Sequence, residues 1–156
     1  MINLIGTYEC KIDAKGRFKL PAAFKKQLES VLGEGFVMKR AVFNSCLELY
    51  AMPAWSPVLA SVNSLNRFVK KNNDFIRLFT AGVKLVELDA TDRLLISKDL
   101  LSYAGMKKEI VLSASGSLIE IWDKESYEKV IQESIGSFAD LAEEVMGNIS
   151  EGDQDE

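Results

Sequence analysis

The feature that most constrains this chain is a motif it carries twice. Asp13-Ala14-Lys15-Gly16-Arg17 lies between two short apolar-rich runs, and Asp89-Ala90-Thr91-Asp92-Arg93 repeats it 76 positions later. The same offset aligns Gly6 with Gly82, Ala14 with Ala90, Arg17 with Arg93 and Leu20 with Ile96. Further on, Leu47-Glu48-Leu49-Tyr50 answers Ile119-Glu120-Ile121-Trp122 at an offset of 72, so the second copy is four residues shorter. A difference of that size is a loop length, and two copies of one architecture fit it.

Local patterning gives each copy the same order of elements. Tyr8 to Ile12 and Arg17 to Leu20 alternate apolar and charged residues with period two and are predicted to be half-buried strands. Asp13 to Gly16 suits a tight turn between them, because an aspartate bonds the backbone ahead of it and glycine tolerates positive φ. Pro21 opens a short helix with Phe24 and Leu28 on one face and Gly33 as its stop. Phe36 to Met38 and Leu47 to Tyr50 supply two further strands. The second copy repeats this with Val83 to Leu88, Leu94 to Ile96, a helix between Ser97 and Gly105, Ile110 to Leu112, and Leu118 to Trp122. Between the copies, Trp55, Val58, Leu59, Val62, Leu65 and Val69 predict a helix ending near Asn72-Asn73, followed by an apolar turn over Phe75 to Phe79. A C-terminal helix carries Tyr127, Val130, Ile131, Phe138, Leu141 and Val145 on its stripe.

The segmentation that follows is a first repeat over 1–53, a helical connector over 54–81, a second repeat over 82–123, a C-terminal helix over 124–147 and an acidic tail over 148–156. The tail has no apolar anchor and is expected to be disordered. No apolar run approaches the roughly 20 residues that span a bilayer, and the N-terminus lacks the basic and apolar regions of an export signal. The expectation is a cytoplasmic protein with no membrane partner.

The net charge of −4 conceals an asymmetry. Residues 1–81 hold twelve Lys/Arg against six Asp/Glu, and residues 82–156 hold seven against seventeen. A basic first copy suits a phosphate-bearing partner.

Chemistry of other kinds is not indicated. The chain has no histidine, the usual general base, and its two cysteines stand at no metal-ligand spacing; Cys10 in its alternating pattern is a small core residue. Gly33-Glu34-Gly35 is not followed by the Lys-Ser/Thr of a phosphate-binding loop. Glu48 and Glu120 alternate with apolar neighbours and are expected to face solvent or a partner; Asp89 and Asp92 are acid-base candidates by type, but next to Arg93 they read more simply as turn-formers or salt-bridge partners. No enzyme activity, small-molecule substrate, metal or cofactor is expected.

What remains is a hairpin tip with Lys15 and Arg17 at its apex and Lys11 and Lys19 on the outward faces of its strands. A two-stranded ribbon fits the major groove, and an arginine fork matches guanine acceptors.

The motifs together, Gly6-x-Tyr8, Asp13-x-Lys15-Gly16-Arg17-x-x-x-Pro21, Asp89-x-x-x-Arg93-x-x-Ile96 and Glu120-Ile121-Trp122, resemble those of the MraZ family over residues 1 to about 146. The resemblance implies a mainly β, α+β fold: two AbrB-like repeats forming a swapped-hairpin, double-split β-barrel pseudo-dimer. It also implies ring-shaped homo-oligomers at the nucleoid, no cofactor, and control of the division and cell-wall gene cluster by binding promoter repeats in double-stranded DNA. The residues expected at DNA are Lys11, Asp13, Lys15, Gly16, Arg17 and Lys19 of the first copy and Asp89 and Arg93 of the second. Two alternatives accompany this reading: an AbrB-like antidote with a protein partner, and a purely structural oligomer without nucleic acid.

The second copy departs from the first at the tip. Lys11, Lys15, Gly16, Lys19 and Pro21 are replaced by Glu87, Thr91, Asp92, Leu95 and Ser97. Arg93 is therefore expected to be neutralised by Asp89 or Asp92, and the two tips to be unequal.

Overall fold

Strand alternation and short helices follow the duplicated order closely. The first copy folds as β1 (Thr7–Lys11), β2 (Arg17–Lys19), α1 (Ala22–Gln27), β3 (Phe36–Arg40) and β4 (Leu47–Ala51). The second folds as β5 (Lys84–Val86), β6 (Arg93–Leu95), α4 (Lys98–Tyr103), β7 (Glu109–Ser115) and β8 (Leu118–Asp123). Helices α2 (Met52–Asn63) and α3 (Lys70–Thr80) connect them, and α5 (Lys124–Ile135) and α6 (Phe138–Gln154) follow. This computed structural model describes residues 2–154, with side chains described through residue 147. The chain divides into two compact units, one ending at Lys124 and the other beginning at Glu125.

Within the first unit the two copies exchange strands. A six-stranded antiparallel sheet runs β1-β7-β8-β4-β3-β5, and β2 and β6 form a separate pair. The first strand of each copy thus lies on the third strand of the other, with Tyr8 opposite Leu112 and Val86 opposite Phe36. Register in the two central pairs is self-matching: Phe18 faces its repeat equivalent Leu94, and Glu48 faces its equivalent Glu120. The sequence-based expectation that β1 and β2 form one hairpin is corrected by this pairing. Their connection is a closed turn, but β2 takes its ladder from β6. The physical reason is burial: Phe18 and Leu94 alternate inward and are both fully buried in the shared core with Leu20, Phe24, Ile96 and Leu100. Side chains of this size each contribute roughly 1.5–3 kcal/mol on burial, and the one core draws them from both copies.

Several helix limits also differ from the expectation. Helix α1 begins after Pro21 and ends at Gln27, and Gly33 lies in a 3-10 turn (Leu32–Glu34) whose exit is Gly35, at φ 84. The connector is two helices rather than one stopping at Asn72-Asn73, which lie inside α3. The break is local: Ser64 Oγ donates to Ser61 O at 2.6 Å, Asn66 Oδ1 accepts from Phe68 N at 3.0 Å, and Asn72 Nδ2 donates to Asn66 O at 3.1 Å. Such side chains compete with helical bonding. The first connector helix packs on the outer face of the sheet, where Trp55 lies 5.3 Å from Tyr50 and stacks on Phe79 of α3 at 6.2 Å. The predicted C-terminal helix is likewise two, interrupted at Gly136-Ser137, where Ser137 Oγ turns back to Ser134 O. Helix α6 runs through Gln154, into the tail expected to be disordered; Asp155 and Glu156 lie outside the described residues.

Candidate nucleic-acid interface

Each copy closes its motif into the same loop, organised by one carboxylate. Asp13 Oδ1 accepts from Lys15 N and Arg17 N, both at 2.9 Å, while Asp13 N donates to Arg17 O at 2.8 Å. In the second copy Asp89 Oδ1 accepts from Thr91 N at 2.8 Å, Thr91 Oγ1 at 2.8 Å and Arg93 N at 3.0 Å. Backbone hydrogen bonds, first from Arg17 N–H and from Arg93 N–H respectively, hold both carboxyls below the usual carboxylate range. The aspartates of the paired motifs are therefore the loops' internal ligands.

The fourth position of each motif needs left-handed backbone. Gly16 has φ 86 and Asp92 has φ 61, the latter alone in this region among described residues other than glycine. Their carbonyls stitch the loops to the opposite copy, Gly16 O accepting from Ile96 N at 2.9 Å and Asp92 O from Leu20 N at 3.0 Å.

The two arginines meet across the β2–β6 pair. Arg17 Nε lies 3.0 Å from Asp13 Oδ2, and its Nη1 lies 4.0 Å from Asp89 Oδ2. Arg93 Nη1 reaches the other copy's Asp13 Oδ2 at 3.2 Å. Arg93 is thus neutralised, but not as expected: Asp89 takes only its backbone N–H, and Asp92 instead pairs with Lys25 Nζ at 2.8 Å. Lys25 was not legible as a site residue from either copy alone. The signal lay in the offset, since position 25 corresponds to Leu101 in the second copy. A Cβ on Gly16 would sit 3.4 Å from Leu101 Cδ1, so one loop meets an apolar residue and the other a lysine, and both members of the pair differ together.

Pairing also redistributes the cations. Phe18 and Leu94 face inward, so Arg17, Lys19, Arg93 and Leu95 occupy the outward face of the β2–β6 ribbon, with Lys19 directly opposite Arg93. The second arginine is consequently adjacent to a first-copy lysine. Lys11 and Lys15 are exposed, whereas Gly16 is buried. Beside the first loop, Lys107 and Lys108 help line an open cavity of about 470 Å³ with Ile12, Asp13 and Ala14, and Ile12 N donates to Lys108 O at 2.8 Å. These two lysines, absent from the sequence-predicted set, come from the second copy.

The Cys10 thiol donates to Lys19 O at 3.8 Å, and burial pushes the Cys10 thiol up to about 11 and the Cys46 thiol up to about 12. Among the described residues no group of three or more His, Cys, Asp or Glu could hold a metal ion, and no helix is long and apolar enough to cross a membrane.

Comparison with known proteins covers nearly the whole chain. A family model described as "MraZ protein, putative antitoxin-like" fits twice, over residues 4–78 and 79–148. A Christiangramia forsetii protein named transcriptional regulator MraZ is 63% identical over 148 residues, covering 95% of this chain and 96% of the relative. A Flavobacterium psychrophilum protein of the same name is 60% identical over 151 residues, covering 97% and 96%. One from Bacteroides fragilis is 34% identical over 147 residues, covering 94% and 92%. With both repeats matched and identity sustained over nearly its full length, this chain belongs to the MraZ family.

Proposed function

We propose that this chain is a sequence-specific DNA-binding transcriptional regulator that reads promoter repeats of the division and cell-wall gene cluster. The observation that carries the reading is the β2–β6 ribbon, two strands wide, with Arg17, Lys19 and Arg93 outward and Phe18 and Leu94 anchoring it from beneath. Supporting it, the relatives carry the name of transcriptional regulators. A ribbon of this width enters a major groove, arginine is suited to guanine O6 and N7, and lysines at the loops contact phosphate. On this reading the exchange of β1 and β5 between copies makes one chain a swapped-hairpin, double-split barrel equivalent to a dimer.

The carboxylates set a condition on binding. Asp13 holds both guanidinium groups in the free protein, so DNA has to draw them from it or use their remaining N–H donors. A single ribbon presents few cations, and useful affinity then requires several subunits of a ring-shaped homo-oligomer on spaced repeats. Lys11, Asp13, Lys15, Gly16, Arg17, Lys19, Asp89 and Arg93 are assigned to this interface, Asp13, Gly16 and Asp89 as loop-shaping residues. The protein acts in the cytoplasm, at the nucleoid.

Gel-shift titration of a promoter fragment against a scrambled one, at two salt concentrations, tests the reading. Binding that prefers the promoter repeats and weakens steeply with salt is expected, because each neutralised phosphate adds about 0.9 to the slope. Equal binding to both fragments refutes sequence specificity, and no binding refutes the nucleic-acid role.

A further inference from the structure

The first unit holds a second cationic site, away from the loops. Arg40, at the end of β3, has its Nε buried with no hydrogen-bond partner and forms no ion pair among the described residues. Its guanidinium carbon lies 4.9 Å from the ring centroid of Tyr103, whose hydroxyl donates to Ala41 O at 3.1 Å. Behind Arg40, a Cβ on Gly82 would approach Nε to 3.2 Å, so the side chain is held from that side as well. The neighbouring Lys39 is already committed, with Nζ 3.3 Å from Glu48 Oε1 and 4.3 Å above the Phe79 ring. Arg40 is the charge left over.

It lies in an open groove of about 340 Å³ between α3 and the segment following β3. The walls of that groove are apolar and exposed: Val42 is 55% exposed, Phe75 43% and Leu78 76%, with Phe43 at 93% beyond it. A positive charge with an unpaired donor, set among exposed apolar side chains, selects an occupant carrying both an apolar stripe and a carboxylate.

This chain contains such a segment. Residues 125–156 hold one lysine against ten Asp/Glu. In α6, Phe138, Leu141 and Val145 fall on one helical face and are 64%, 52% and 49% exposed, and Glu144 borders that face beside Leu141, with Asp140 one turn before it. Closed rings built from identical chains are held by two different, mutually complementary patches, one on each side of the subunit.

We propose that the Arg40 groove of one copy receives α6 of a second copy, with Phe138, Leu141 and Val145 against Val42, Phe75 and Leu78 and with Glu144 on the Arg40 guanidinium. This rests on the homo-oligomeric reading above and supplies its contact. Docking brings a carboxylate to the Arg40 guanidinium and removes two exposed apolar surfaces from water together.

Charge exchange in the full-length protein tests it. Arg40→Glu and, separately, the double variant Asp140→Arg/Glu144→Arg are each expected to weaken self-assembly by about 30-fold or more, read by analytical ultracentrifugation over a concentration series. Leu78→Glu, at a site too exposed to disturb the core, is expected to do the same. Mixing Arg40→Glu with the double variant is expected to restore wild-type mass, because each copy then offers the other a matching patch. Restoration also shows that both variants fold. A wild-type protein that stays monomeric at micromolar concentration overturns both this contact and the oligomeric reading. An oligomeric wild type whose variants assemble with unchanged affinity, or whose mixture is not restored, overturns this contact alone.

Discussion

Gly16 is where the loop, its backbone and the opposite copy constrain one another most tightly, and Gly16→Ala puts a number on that constraint. At φ 86 an L side chain costs roughly 1–2 kcal/mol. The new Cβ would also stand 2.9 Å from Ile96 O, a backbone atom, so relief means moving the chain. That chain is pinned, because Ile96 N donates to Gly16 O at 2.9 Å, and weakening such a bond forfeits about 1 kcal/mol. Against this, losing glycine's freedom in the unfolded state returns about 0.4–1 kcal/mol. The net expectation is a loss of about 2 kcal/mol. For a chain of this size, that lowers Tm by roughly 4–8 °C, read by thermal circular dichroism with the DNA-free protein. A Tm within about 1 °C of wild type would refute the reasoning, showing that the loop can leave the left-handed region without disturbing the β2–β6 stitch.

Four further outcomes follow from the same geometry. Arg17→Ala is expected to abolish promoter binding with the fold intact, at about 1–3 kcal/mol per lost base contact summed over subunits, whereas Arg93→Ala costs less; equal losses in matched titrations would mean that the two arginines serve DNA alike. Asp92→Gly is expected to strengthen binding by removing a carboxylate near the ribbon and releasing Lys25, while stability shifts by less than about 1 kcal/mol, since relief of the left-handed aspartate is offset by the lost, half-exposed ion pair and by glycine's entropy. Because the carboxyls of Asp13 and Asp89 are held low in the folded state, the stability they supply is complete above the ordinary carboxylate pKa of about 4 and is lost as pH falls through the lowered values. Thermal scans should be flat in this respect from about pH 5 to 8 and fall below about 4, and Asp13→Asn should flatten the acid limb; an unaltered limb in that variant counts against the assignment. With Cys10 and Cys46 pushed up to about 11 and 12, neither thiol is expected to react with Ellman's reagent in the native protein at about pH 8, while both react in denaturant; rapid native labelling would show that these thiols are accessible and ionise normally.

By itself the sequence determined the duplication, the identity and order of the elements, and the carboxylate-organised loop. All of these rest on short-range physics: period-two alternation marks Tyr8 to Ile12 as a strand, and an aspartate two and four residues ahead of backbone donors closes the same turn in both copies. Short-range patterning also misled where a polar side chain competed with the helix, as Ser64 and Asn66 did in the connector and Ser137 near the C-terminus. Only tertiary structure decided which strands pair. Alternation says that a strand has one buried face but not whose core covers it, and with β1 and β5 exchanged a single core draws its residues from both copies. From that exchange come the contacts no single repeat contains: Asp13 with Arg93, Lys25 with Asp92, and Lys19 opposite Arg93. Each joins residues 67 to 80 positions apart on the chain, and only packing brings the charges together.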